Sequence, residues 1–222
     1  AKIIAITVFS IIIALLINEV QNKVLKKIIQ TVIFLPYFLS WALIGNVFVE
    51  LFSQTGTVNY FLSFLGIEGE YWITSNKWFR AIIVATDLWK NLGYQVVVFL
   101  AAITSINSNL YEAAEIDGAG HWQKCWHITI PGIKSMIVLM SILNIGNIMN
   151  AGFEQILVMY NDFVLPTGDI LDTLAYRYAF PRGGLADYSF STAVGLFKSV
   201  VSCLFFIIAY RIAFKVSDYK LF

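Results

Sequence analysis

Charge is what this sequence has least of. Only 13% of its 222 residues are Asp, Glu, Lys or Arg, about half the share of an average soluble domain, roughly 25%. The formal net charge is +1, so the basic excess that nucleic acid would call for is missing. Cys125 and Cys203 are the only cysteines. Neither has a partner at metal-ligand spacing, so no disulfide framework or metal site is indicated. Both read as small apolar fillers. Nowhere does Gly-x-x-x-x-Gly-Lys-Ser/Thr occur, so the chain carries no phosphate-cradling loop of its own. No Ser/His/Asp or metal-hydrolase pattern stands out. His121 and His127 fall in one short polar segment and read as solvated or interfacial. No internal repeat, low-complexity stretch or cleavable signal pattern is visible.

Apolar residues are what the chain has in plenty. They make up 59% of it, and the mean hydropathy is +0.74. Runs long enough to cross a bilayer recur. Residues 3–17, 32–52, 79–103, 133–151 and 190–210 read as five spans, A to E. The expectation is an all-α polytopic membrane protein with a single transmembrane domain over 1–222. Pro36 sits near the start of span B, where an offset start or kink is tolerated. Residues 53–78 and 152–188 read as polar connecting stretches. Ala1 already lies inside an apolar run and no Met precedes it. A further span upstream is therefore expected, which would make six.

Basic residues stay on the cytoplasmic side of a membrane. Putting the A–B loop, the C–D loop and the tail on one side groups Lys23, Lys26, Lys27, Lys124, Lys134, Arg211, Lys215 and Lys220 there. The other side holds Lys77, Arg80, Arg177 and Arg182. Eight against four makes the first side cytoplasmic.

That side carries the one polar, helix-favouring segment between two long apolar runs, within residues 105–131. Ala and Glu in Tyr111-Glu112-Ala113-Ala114-Glu115 favour a helix. Asn109 can cap its start, with Glu112 three residues on to reach back. Gly118 and Gly120 break the helix, and Pro131 suits the first turn of the next. An ordinary interhelical loop would use the same chemistry. The full spacing, however, resembles the Glu-Ala-Ala loop of the membrane subunits of binding-protein-dependent ABC importers. Glu112, Ala113, Ala114, Gly118, Ile128 and Pro131 match it, and Ile130 replaces a Leu. The resemblance implies that Tyr111, Glu112, Ala113, Ala114, Asp117 and Gly118 form a coupling helix that docks on a cytoplasmic ATPase. It also implies six membrane helices.

Further resemblance points to the polysaccharide-type branch of carbohydrate importers. It lies in Leu35-Pro36-Tyr37-Phe38-Leu39-Ser40-Trp41, Trp89-Lys90, Gly152-Phe153-Glu154-Gln155 and Ala193-Val194-Gly195-Leu196-Phe197-Lys198. What it implies is a multi-pass permease subunit of the cell membrane that moves an oligosaccharide or sugar derivative by alternating access. A second permease subunit, two ATPase subunits and an extracellular solute-binding protein would complete the assembly. ATP and Mg would belong to the ATPase chains. The permease itself would be no enzyme and would bind no cofactor.

Polar residues within the spans mark a possible substrate pathway, because ionisable groups there face the bundle interior or water. They are Asp87, Lys90 and Asn91 in span C, Asn144 and Asn147 in span D, and Lys198 in span E. Depth along the spans predicts that Asp87 pairs with Lys198. Ser141, Asn144 and Asn147 recur at i, i+3 and i+6 along one helix face. The asparagines would serve equally as interhelical hydrogen bonds. Trp41, Trp89 and Tyr94 could stack on sugar rings, and Glu154 belongs to the same candidate pathway. The rival class is an ion-gradient carrier with Asp87, Lys90 and Lys198 as a relay.

Overall fold

The computed structural model describes Lys2–Ser217, with side chains as far as Phe214. Lys220 and the Lys215 side chain, both counted above among the cytoplasmic cations, lie outside the described residues. Among the described residues every regular element is helical. In chain order these are α1 (Lys2–Glu19), α2 (Lys23–Phe34), α3 (Trp41–Leu51), α4 (Thr57–Phe64) and α5 (Phe79–Thr104). Next come α6 (Ser108–Ile116), α7 (His121–Lys124), α8 (Ile130–Gly132), α9 (Lys134–Gly146) and α10 (Phe153–Met159). The last are α11 (Leu165–Gly168), α12 (Leu171–Ala179) and α13 (Tyr188–Ser217).

Two helices, Lys2–Glu19 and the 27-residue stretch Tyr188–Phe214, are long and apolar enough to cross a membrane unaided. Three bent helix pairs bring the number to five if each is one span, as the hydropathy predicted. The apolar surface supports this reading. Large side chains such as Ile4 (69% exposed), Val200 (60%) and Ile212 (58%) face outward, where a soluble protein would bury them.

Two of the expected spans differ in detail. Span B is broken. A 3₁₀ turn over Leu35–Phe38 follows α2, and α3 starts afresh with Ser40 accepting from the Leu43 amide at 3.3 Å. Pro36 lies inside the 3₁₀ turn, where its missing N–H interrupts the helical ladder. Span D also ends early, at Gly146. The stretches expected as loops are largely helical, with α4 in one and α10 to α12 in the other.

The chain groups into two compact units. One holds the residues up to Phe38, Lys90–Gly146 and those from Phe205 on. Its core is Ala14, Ile17, Val96, Phe99, Leu100, Ile103, Ile133 and Met140. Within it α5 meets α2 backbone to backbone. A Cβ on Gly93 would lie 2.1 Å from the Ile33 carbonyl oxygen, so only glycine fits there.

The other unit comprises Leu39–Trp89 and Asn147–Leu204. Its core gathers Trp41, Ile73, Phe79, Ile82, Ile83, Ile156, Met159 and Val164. Buried Asn59 fixes the segment between α4 and α5. Its amide donates to the Ser53, Gln54 and Glu70 carbonyls at 3.2, 3.1 and 3.0 Å. Its oxygen accepts from the Glu70 amide at 3.0 Å and from Trp72 Nε1 at 2.7 Å. One side chain thus satisfies five backbone or indole groups that would otherwise seek water.

Candidate coupling helix and a polar pocket

The polar segment folds as a helix, a left-handed turn and a second helical stretch. Asn107 caps α6, accepting from the Asn109 amide at 3.0 Å. The cap is therefore two residues earlier than Asn109, and Glu112 closes no capping box. Asp117 ends the helix and Gly118 follows at φ +77°. The Ala119 amide reaches back to the Ala114 carbonyl at 2.8 Å, and the Gly118 amide to that of Glu115 at 3.0 Å. That pair of bonds is a Schellman motif, which needs a left-handed residue at its turn. No atom lies within 4 Å of a Cβ added at Gly118, so backbone conformation alone selects glycine.

Three contacts anchor this helix–turn–helix. The Tyr111 hydroxyl lies 2.9 Å from the hydroxyl of buried Thr129. Lys124 Nζ lies 2.7 Å from Glu115 Oε1 across the turn. That hydrogen bond, with the lysine charge, holds the Glu115 carboxyl below its usual range. His121 Nδ1 sits 3.1 Å from Glu19 Oε2, at the end of α1. Cys125 opens a π-helical turn, Cys125–Thr129, a local widening often found at functional sites. Burial, with a smaller contribution from Glu19, pushes its thiol up.

Two faces of α6 result. Tyr111 and Ala114 turn inward, half-buried, whereas Glu112, Ala113 and Asp117 are exposed and Ile116 is 88% exposed. Tyr111 thus braces the helix from inside, and the other expected docking residues but Ala114 lie outward. A cup of about 350 Å³ lies beside the turn, lined by Ala114, Asp117, Gly118, Gln123, Lys124 and His127 among others.

Trp41, Glu154 and Lys198 meet in a pocket of about 410 Å³ in the second unit, with Asn150, Gly152, Phe153 and Asp172. Lys198 is held there by Asp172, with its ammonium 2.6 and 2.7 Å from the two carboxylate oxygens. The expected Asp87–Lys198 pair is therefore incorrect. Helix α12 brings a nearer carboxylate from a stretch that reads as loop in the sequence. Asp87 is itself buried at 4% exposure. Trp89 packs edge-on against Phe48, with ring centres 5.5 Å apart.

Lys90, Asn91, Tyr94 and Asn144 belong to the first unit. Buried Lys90 donates to the Tyr37 carbonyl at 2.8 Å, where the break in span B frees a carbonyl from its ladder. Its ammonium also lies 5.5 Å from the centre of the Tyr37 ring. Tyr94 stacks on that ring at 5.0 Å. Asn144 Oδ1 accepts from Gln95 Nε2 of α5 at 3.3 Å, an interhelical bond. Ser141 turns its hydroxyl onto the Ile137 carbonyl of its own helix at 2.7 Å. Ser141 and Asn144 lie on α9, which stops at Gly146, and Asn147 opens the turn just beyond it.

Sequence reasoning missed two residues. Gln155 is fully buried and donates to Thr86 Oγ1 and to the Ile83 carbonyl, both at 2.8 Å. The other is Asp172. A polar residue in the Gly152–Gln155 run signalled the first, and nothing local singles out the second.

A helical membrane protein whose spans are joined by a Glu-Ala-Ala turn of this geometry falls in the class of transport permeases. Residues 6–218 match the family described as binding-protein-dependent transport system inner membrane component, and the chain belongs to that family. It is similar to Protein LplB of Bacillus subtilis (strain 168), 41% identical over 213 residues, 96% of this chain and 66% of that protein. Similarity extends to the polygalacturonan/rhamnogalacturonan transport system permease protein YteP of the same organism. Identity there is 37% over 209 residues, covering 94% of this chain and 64% of YteP. The chain thus spans just under two thirds of each relative's length. A crystal structure of a bacterial alginate ABC transporter, in complex with an alginate pentasaccharide-bound periplasmic protein, superposes with a TM-score of 0.90. Identity there is 33%, over 99% of this chain and 78% of that one. The family match and the long apolar helices make it a membrane protein.

Proposed function

We propose that this chain is the core of one permease subunit of an ATP-driven importer in the cell membrane, crossing it several times. It moves an oligosaccharide or sugar derivative inward by alternating access. The observation that carries this reading is the braced helix α6 before the Gly118 turn. It presents Glu112, Ala113, Ile116 and Asp117 outward beyond a glycine turn, on the side that the basic residues mark as cytoplasmic. Small alanine allows a partner groove to approach closely. Two ATPase subunits, which bring ATP and Mg, engage this helix and its counterpart on a second permease subunit. A solute-binding protein delivers the sugar from outside, and segments 53–78 and 152–188 meet it. Trp41, Glu154 and Lys198 with their pocket lie on the sugar's path, together with Asp87, Trp89, Lys90, Asn91, Tyr94, Asn144 and Asn147 as further candidates.

Sugar-named and alginate-transporting relatives support the carbohydrate assignment. Family membership speaks against an ion-gradient carrier, as does the engagement of Lys198 by Asp172 rather than by Asp87. Co-expression of the full transporter genes followed by affinity purification on this subunit tests the reading. ATPase chains should co-purify, and proteoliposomes should accumulate sugar only with ATP and the binding protein. Uptake driven by an ion gradient without ATP would overturn it.

A further inference from the structure

The pocket that holds Lys198 has a charge pattern with a consequence for substrate choice. Its charged groups are Glu154, Asp172 and Lys198. Lys198 is chelated by both oxygens of Asp172 at 2.6 and 2.7 Å, and the two side chains are only 17% and 22% exposed. The lone cation is thus already neutralised. Glu154 is exposed at the same pocket, and among the described residues no cation pairs with it. The lining carries one uncompensated negative charge. Arg177 of α12 adds no relief. Its guanidinium lies on Asp169 in two parallel bonds of 2.8 and 2.5 Å, a bidentate pair in which its charge is already matched by a carboxylate.

The rest of the lining suits a sugar. Phe153 supplies aromatic surface, held against Tyr176 at 5.8 Å between ring centres, and the edge of the core residue Trp41 completes the wall. Asn150 supplies an amide. Carboxylates are strong acceptors for hydroxyl and ammonium donors and repel a carboxylate brought close. We propose that this pocket selects uncharged or amino-bearing saccharide units and disfavours uronates. The proposal rests on the importer reading above, in which the pocket lies on the sugar's path.

The test uses the purified permease–ATPase complex without binding protein. Binding is measured for two pentasaccharides, a galacturonan and a mannuronan, each as the free acid and as its full methyl ester. Esterification removes the charge and keeps the backbone. At low salt the esters should bind at least tenfold more tightly than the acids. That ratio should shrink with added salt, because exposed charges are screened. Glu154→Gln should narrow the ratio. Asp172→Asn, which releases Lys198 for a carboxylate, should reverse it. Glu154 is exposed, so its variant and the salt series decide the matter even where Asp172→Asn fails to assemble. Acids that bind as well as or better than their esters in the unmodified complex overturn the charge selection alone. Absence of binding by all four probes overturns the saccharide reading of the pocket on which it rests.

Discussion

The Asp169 carboxyl sits below its ordinary value, chiefly because Arg177 hydrogen-bonds to it, with Thr173 adding a further bond at 2.6 Å. A depressed carboxyl contributes stability above its unfolded value, about pH 4, and loses it as pH falls through the lower folded value. The Arg177 guanidinium is raised by the same contact, and its effect is constant across this range. Asp169→Asn should therefore lower the melting temperature of the purified complex at neutral pH. The gap to the unmodified protein should close on acidification below about pH 4. A gap that stays constant down to pH 3 would show that the pair contributes nothing. The Gln95–Asn144 bond makes a second prediction. Asn144→Leu leaves buried Gln95 without its partner, at a cost of about 1–3 kcal/mol, so complex yield should fall before transport per complex does. Gln95→Leu combined with Asn144→Leu should restore yield. Failure of the double change to recover would place the defect elsewhere in α9. At this scale the sequence revealed which residues were costly to bury and not whom they pair with. Asp87, Lys90, Asn91 and Asn144 stood out by polarity alone. Depth along a span says nothing of rotation about the helix axis, and Asp172 lay in a stretch with no hydrophobic period to mark it as packed.

Helix ends were legible where local chemistry decides them. Glycine at the turn, alanine and glutamate before it and proline after it all act within a few residues. Gly118 and Pro131 accordingly fell where they were expected, and the cap missed by two residues only because Asn107 and Asn109 are equally good caps. The break in span B was legible only as the kink that Pro36 tolerates, since the apolar run continues straight through Leu39 and tertiary contacts stabilise the interruption. Lys90 is one of those contacts. Lys90→Met should remove the donor to the Tyr37 carbonyl and lower thermal stability by about 1–3 kcal/mol. An unchanged melting curve would mean that the break holds without it. For the turn itself, valine at position 118 should cost about 1–2 kcal/mol, because L-residues resist φ near +77°. Asparagine tolerates that conformation and should behave much as glycine does. Equal damage from valine and asparagine would point to a steric contact with a partner rather than to backbone conformation.

For the assembled molecule, the apolar spans were readable because apolar length is a property of the run itself. The division into two compact units was not, because it depends on which faces of α5 and α13 pack within each. In the proposed importer the helix before Gly118 transmits ATPase motion to the membrane helices. The most direct measurement is ATP hydrolysis by the reconstituted complex, with and without sugar-loaded binding protein. The unmodified and Gly118→Asn complexes should be stimulated alike. The Gly118→Val complex should retain its inserted spans and still dock the binding protein, yet lose most of the stimulation. Full stimulation of the Gly118→Val complex would contradict the account, leaving this segment a connecting loop and placing the coupling elsewhere.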